Sequence, residues 1–120
     1  MGPTHITTTV RNLTGRGKSF TAEFFVDTTL LDCLAPAEAL RNAGIKPEGK
    51  AFYQLADEQP AEREYGFARI KFLGMETAVQ IIFGPEGCEP VLGAVALINT
   101  GLMIDRKSMT LHRVHAKSME

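Results

Sequence analysis

The sequence predicts a mainly β domain, a closed barrel or sandwich with two short helices. Short runs rich in Thr, Val, Phe and Ile recur along the chain, separated by turns that contain Gly or Pro. Residues 61–73 alternate, with Phe67, Arg69 and Lys71 set against Ala68, Ile70 and Phe72, the period of a half-buried strand. Helix signals are confined to residues 35–44 and 94–100.

The first strand is read over residues 6–12, where three threonines and Val10 favour extended backbone. Thr14-Gly15-Arg16-Gly17-Lys18 supplies turn residues, and residues 19–26 return as the second strand of a hairpin. Residues 35–44 read as a helix: Pro36 suits a first turn, the alanines favour helix, and Gly44 suits a C-terminal cap. Lys46-Pro47-Glu48-Gly49 turns into a strand over residues 50–56, followed by a polar turn at Asp57-Glu58-Gln59-Pro60. Residues 61–73 form a long strand interrupted at Gly66, and Gly74-Met75 turns into another over 77–83. A loop over 84–90 leads to a short buried strand at 91–93 and a helix over 94–100 that Gly101 ends. Residues 102–104 and 109–114 form a last hairpin around Asp105-Arg106-Lys107-Ser108, and 115–120 read as a frayed tail. No repeat or linker divides the chain, so residues 1–120 are read as a single domain.

Composition narrows the function classes. A hydrophobic content of 44% with 22% charged residues is that of a soluble globular protein. A formal net charge of −1 gives no electrostatic reason to expect nucleic acid or an anionic membrane as partner. No apolar run approaches the ~20 residues of a membrane span. Met1-Gly2-Pro3-Thr4-His5 has no signal-peptide pattern, and Pro3 and Ile6 argue against myristoylation of Gly2. Cys33 and Cys88 lie far apart with no His at metal-ligand spacing. They read as reduced thiols of a cytoplasmic protein, packed in or near the core, with no metal or cofactor expected.

The most informative segment is Phe24-Phe25-Val26-Asp27-Thr28-Thr29-Leu30-Leu31-Asp32-Cys33-Leu34. An apolar strand ends in one carboxylate and two hydroxyls, and apolar residues then resume at once. Asp27 is therefore expected at the edge of a core, where its partners are controlled and an acid–base carboxylate would sit. The plainer reading is a strand-end Asp bonded to nearby backbone. Asp32 reads as a helix-entry cap, and Asp57 and Asp105 as turn residues. His5, His112 and His115 lie near the termini and receive no catalytic role. Arg63, Arg69 and Lys71 read as a solvated strand face, and Gly93 as a site of close packing.

Four segments, in order, resemble the retroviral-like (retropepsin-type) aspartic proteases, specifically their small bacterial and archaeal members. Phe25-Val26-Asp27-Thr28 is similar to the start of the family's hydrophobic-hydrophobic-Asp-Thr-Gly-Ala motif. Asp32-Cys33-Leu34-Ala35-Pro36 and the stretch ending Gly44-Ile45-Lys46-Pro47 resemble the family's segment after that motif. Tyr53-Gln54-Leu55-Ala56-Asp57 resembles the strand that leads into the substrate-covering flap. Phe83 to Gly93 is similar to the second hydrophobic-hydrophobic-Gly motif and continues into Leu102-Met103-Ile104-Asp105. The likeness covers almost the whole chain and implies a closed acid-protease-like barrel.

The resemblance also implies roles. Asp27 would be the catalytic carboxylate, and Thr28 would hydrogen-bond across a two-fold axis to fix it. Thr29, Leu30 and the flap residues Asp57, Glu58 and Gln59 would meet an extended peptide or protein substrate. Thr29 and Leu30 stand where the family has Gly and Ala, Leu31 where a polar residue is usual, and the flap has no Gly. A β-branched Thr narrows a channel that Gly leaves open, and Leu30 crowds the floor beside the carboxylate.

The chemistry requires a second carboxylate. Two carboxyls ~3 Å apart share one proton, the known behaviour of the aspartic-protease dyad. With a single Asp-Thr pair in the chain, the second comes from another copy, so a homodimer is expected. Two functions are consistent with these residues: a homodimeric aspartic endopeptidase, or a catalytically degenerate module of the same fold that binds peptide or serves as a dimeric scaffold.

Overall fold

The structure, a computed structural model, describes residues 4–54, 59–105 and 110–113. Its elements are β1 (His5–Arg11), β2 (Phe20–Val26), β3 (Cys33–Pro36), α1 (Ala37–Asn42), β4 (Gly49–Tyr53), β5 (Ala61–Phe72), β6 (Met75–Gly84), β7 (Val91–Leu92), α2 (Ala94–Thr100), β8 (Leu102–Asp105) and β9 (Thr110–Arg113). Seven strands form one sheet in the order β1-β2-β7-β3-β6-β5-β4, and β8 and β9 form a separate two-stranded hairpin. β5 is 12 residues long and serves two neighbours along its length. Its first half pairs with β4, and Arg69, Ile70 and Lys71 pair with Arg11, Val10 and Thr9 of β1. The second pairing closes the sheet into a barrel and leaves β4 outside the ring. The fold is thus the mainly β closed barrel with two short helices that the sequence predicts.

Alternation decides which side chains fill it. Ile6, Thr8 and Val10 of β1 face inward, as do Ala68, Ile70 and Phe72 of β5. Thr8 is the one buried polar side chain among the described residues and donates its hydroxyl to the Ile6 carbonyl at 3.1 Å, which offsets the cost of burying it. β3 and the end of β6 are buried on both faces. Cys33, Ala35, Ile81, Phe83 and Leu92 face the main core, whereas Leu34, Ile82 and Val91 form a smaller cluster on the opposite face. Phe25, Leu30, Tyr53 and Cys88 pack half-buried against that second cluster.

Several expectations change. Residues 35 and 36 close a strand instead of opening a helix: Pro36 has φ −58° and ψ 137°, and α1 starts at Ala37. The fixed φ of proline is as compatible with extended backbone as with a first helical turn, and pairing with β6 selects the former. Asp32 consequently caps no helix; Pro36 stands at the cap position without a side-chain bond. Gly66 does not interrupt β5. A Cβ there would lie 2.6 Å from the Lys46 carbonyl oxygen, so the residue admits a crossing backbone. Both cysteines are unpaired, Cys33 buried and Cys88 half-buried. Burial pushes the Cys33 thiol up to about 12, which keeps it protonated and unreactive at neutral pH. The flap residues Asp57 and Glu58 lie outside the described residues, as do the turn at 106–108 and the tail at 115–120.

Candidate active site

The site is built where the chain leaves β2 and skips a strand. β7 lies between β2 and β3, parallel to β2 (Val26↔Leu92) and antiparallel to β3 (Leu34↔Val91). The loop of residues 27–32 must therefore cross the end of β7 to reach β3. Gly93 follows β7 directly beneath that crossing. A Cβ at this position would lie 2.3 Å from the Asp32 carbonyl oxygen and 2.6 Å from that of Leu31. Its backbone, at φ −86° and ψ 177°, is ordinary extended chain. Glycine is required here for space, not for conformation.

Backbone hydrogen bonds fasten the crossing. Asp27 N–H donates to the Leu92 carbonyl at 3.1 Å, and Leu30 N–H to the Asp27 carbonyl at 3.3 Å. The first N–H groups of α2, on Ala94 and Val95, donate to the carbonyls of Leu30 and Leu31 at 2.8 and 3.1 Å. Those N–H groups have no partner inside a helix, so the loop caps α2 while α2 holds the loop. The two apolar segments that the sequence singles out, Phe25-Val26-Asp27 and Val91-Leu92-Gly93, are thereby the two sides of one structure.

Asp27 is half-buried at the start of this loop. Its Oδ1 accepts from the Thr29 backbone N–H at 3.0 Å and from the Thr29 hydroxyl at 2.6 Å. Its Oδ2 has no hydrogen-bond partner among the described residues, and neither has the half-buried Thr28 hydroxyl. Thr29 is exposed, and Leu30 turns its side chain to the second apolar cluster. Leu31, where the family has a polar residue, is 67% exposed. Of the three expected flap contacts, Gln59 is exposed, and Asp57 and Glu58 lie outside the described residues.

A second carboxylate in the loop has different company. Asp32 Oδ2 accepts from the Tyr53 hydroxyl and from Gln80 Nε2, each at 3.1 Å, and Gln80 Nε2 also donates to the Tyr53 oxygen at 3.1 Å. Burial pushes the Asp32 carboxyl above its usual range, and the bonds from Tyr53 and Gln80 oppose that shift. The Tyr53 phenol is raised as well, chiefly by burial. This triad joins the motif loop, the end of β4 and the middle of β6. Sequence reasoning missed it, although Gln80 gives a signal as the only polar residue of the run Val79 to Phe83. A polar side chain set among buried apolar ones needs partners.

Among the described residues no group of three or more His, Cys, Asp or Glu is placed to hold a metal ion, and no helix is long and apolar enough to cross a membrane.

Comparison with solved structures agrees with this geometry. The chain is similar to the retroviral protease-like domain of Ddi1 from Leishmania major, with a TM-score of 0.58 and 13% sequence identity. The likeness covers 97% of this chain and 91% of that one. The fold is retropepsin-like. No family model and no curated protein sequence matches the chain. At this identity the retropepsin-like likeness is one of architecture, and the chemistry rests on the residues of this chain.

Proposed function

We propose that this chain is an aspartic endopeptidase that acts as a homodimer, with one Asp27 from each copy activating water against an extended peptide. The observation that carries the reading is the seat of Asp27-Thr28: the pair stands where the motif loop crosses β7 in a retropepsin-like barrel, with Asp27 Oδ2 and the Thr28 hydroxyl unengaged among the described residues. Two copies related by a two-fold axis would bring the Asp27 carboxyls together and let the Thr28 hydroxyls bond across it. The surroundings support such pairing. Leu31, Ile98 and Met103 are 67%, 63% and 54% exposed on the motif loop, on α2 and on β8, which packs against α2. Large apolar side chains left exposed on elements that adjoin the motif loop are what such a pairing would cover.

In this mechanism the paired carboxyls share one proton. The ionised Asp27 takes a proton from water as the water oxygen bonds to the scissile carbonyl carbon. The protonated Asp27 donates to the carbonyl oxygen, giving a tetrahedral diol. On collapse the carboxyl that took the water's proton gives it to the leaving nitrogen as the C–N bond breaks, the other carboxylate takes a proton from a diol hydroxyl as the C=O bond forms, and the singly protonated pair is restored. The second apolar cluster supplies a floor beside the site: Leu30 of the loop belongs to it together with Phe25, Tyr53, Ile82 and Val91. A peptide laid across it as an added strand would place an apolar side chain there. Reduced Cys33 and Cys88 suit a cytoplasmic setting for this activity.

The test is cleavage of a library of extended peptides, run with the native chain and with Asp27→Asn. Activity at mildly acidic pH that pepstatin-type inhibitors block and Asp27→Asn abolishes is the expected result. Activity that survives Asp27→Asn removes Asp27 from the mechanism. A dimer that binds such peptides and cleaves none of them makes the chain a degenerate module, and Thr29→Gly with Leu30→Ala would then be the pair to restore turnover.

A further inference from the structure

We propose that Thr29 is a positioning residue for Asp27: its hydroxyl and its own N–H fix Oδ1, so that Oδ2 is the oxygen that exchanges protons. The catalytic consequence rests on the peptidase reading above, but the geometry does not. The Thr29 hydroxyl lies 2.6 Å from Oδ1, within the range of a short bond to an ionised carboxylate, and the Thr29 N–H lies 3.0 Å from the same oxygen. Two donors aimed at one oxygen oppose a proton there, so protonation of Asp27 is directed to Oδ2. Threonine suits the task because its β-branched side chain is stiff about χ1 and holds the hydroxyl in place. A glycine at this position could supply only the N–H. The residue that departs from the family motif thus adds a donor that the motif lacks.

Loss of the hydroxyl leaves the Asp27 carboxylate with the Thr29 N–H as its one donor among the described residues, so the carboxylate is free to turn and Oδ2 no longer keeps a fixed place.

The experiment compares the native chain, Thr29→Val and Thr29→Ser by kcat and KM on one cleaved peptide and by crystal structures of the Asp27 loop. Valine keeps the shape and loses the donor, and serine keeps the donor. The expected result in Thr29→Val is a carboxylate turned from its native orientation and a kcat lowered about tenfold with KM little changed, with Thr29→Ser close to the native chain in both. A purely structural turn would lower the melting temperature of Thr29→Val and leave the carboxylate and kcat where they were, which overturns the proposal. If Thr29→Val does not fold, Thr29→Gly, which keeps the N–H alone, takes its place with the same expectation. A turned carboxylate in a chain without peptidase activity upholds the positioning role and counts against the peptidase reading. Peptidase activity with kcat and carboxylate unchanged in Thr29→Val does the reverse.

Discussion

Asp27 and Asp32 share one short loop and differ in almost everything that decides what a carboxylate can do. Asp27 is held from within its own turn, by two donors on Thr29, and keeps one oxygen unengaged among the described residues. Asp32 is held from two other strands, by Tyr53 and Gln80, and its bonds fix the loop to β4 and β6. A carboxylate whose partners are local can exchange a proton without disturbing the barrel. One whose partners come from distant strands cannot, because each change of protonation is felt as a change in packing. The loop thus separates a chemical role from a structural one, and this contrast can be broken by experiment at four levels.

The largest effect is on turnover. Asp27→Asn is expected to lower peptidase activity by about 10³-fold or more while shifting stability little, whereas Asp32→Asn retains turnover. Initial rates on a cleaved library peptide, with melting curves of the same preparations, check both halves. Equal losses in the two variants would erase the distinction.

Next is the crossing that supports both residues. Gly93→Ala drives a methyl group into the Leu31 and Asp32 carbonyl oxygens, which are backbone and cannot rotate away. A cost of about 3 kcal/mol is expected in denaturant unfolding, with turnover reduced in whatever fraction folds. A neutral Gly93→Ala would mean that the loop stands off β7.

A smaller effect isolates the Asp32 triad. Tyr53→Phe and Gln80→Leu each remove one donor to Oδ2 and are expected to cost about 1 kcal/mol. Because Gln80 also donates to Tyr53, the double variant should cost less than the sum of the two. Strict additivity would separate Tyr53 from Gln80.

The smallest effect is a slope with pH. Folding raises the Asp32 carboxyl above its usual 3.8, so the native state holds that proton more tightly than the unfolded chain. This contribution to stability is fully present below 3.8 and is lost as pH rises through the raised native value. Asp32→Asn removes it, so the variant should gain stability relative to the native chain as pH rises from 3.8 toward neutrality. The gain is below about 1 kcal/mol because the carboxyl is only partly buried and solvent screens it. A difference that shrinks with rising pH would contradict the sign.

The same contrast explains which parts of the molecule are legible in the sequence. Local features are: the β1–β2 hairpin, the alternation along β5 and the helix over Ala94–Thr100 all arise from neighbouring residues. Gly101 takes the left-handed conformation at φ 75° that its place after α2 predicts. The Asp27 loop is local too, so its motif stands out. β3 is not legible, because Ala-Pro-Ala reads equally well as the start of a helix until its pairing with β6 and β7 is known. The Asp32 triad is hidden for the same reason, since Tyr53 and Gln80 lie 21 and 48 residues away. Thr29 is read from sequence as a narrowing of the substrate channel, and only the geometry reveals its two bonds to Asp27.

The central claim, that catalysis takes one Asp27 from each of two copies, is tested most directly by mixing. Native and Asp27→Asn chains are combined at a fixed total concentration, allowed to exchange subunits, and assayed on one peptide. The two-carboxylate mechanism predicts that activity falls as the square of the native fraction, because a mixed dimer has one competent carboxyl and no partner for it. A linear fall would mean that one Asp27 suffices, and the two-carboxylate mechanism would be wrong.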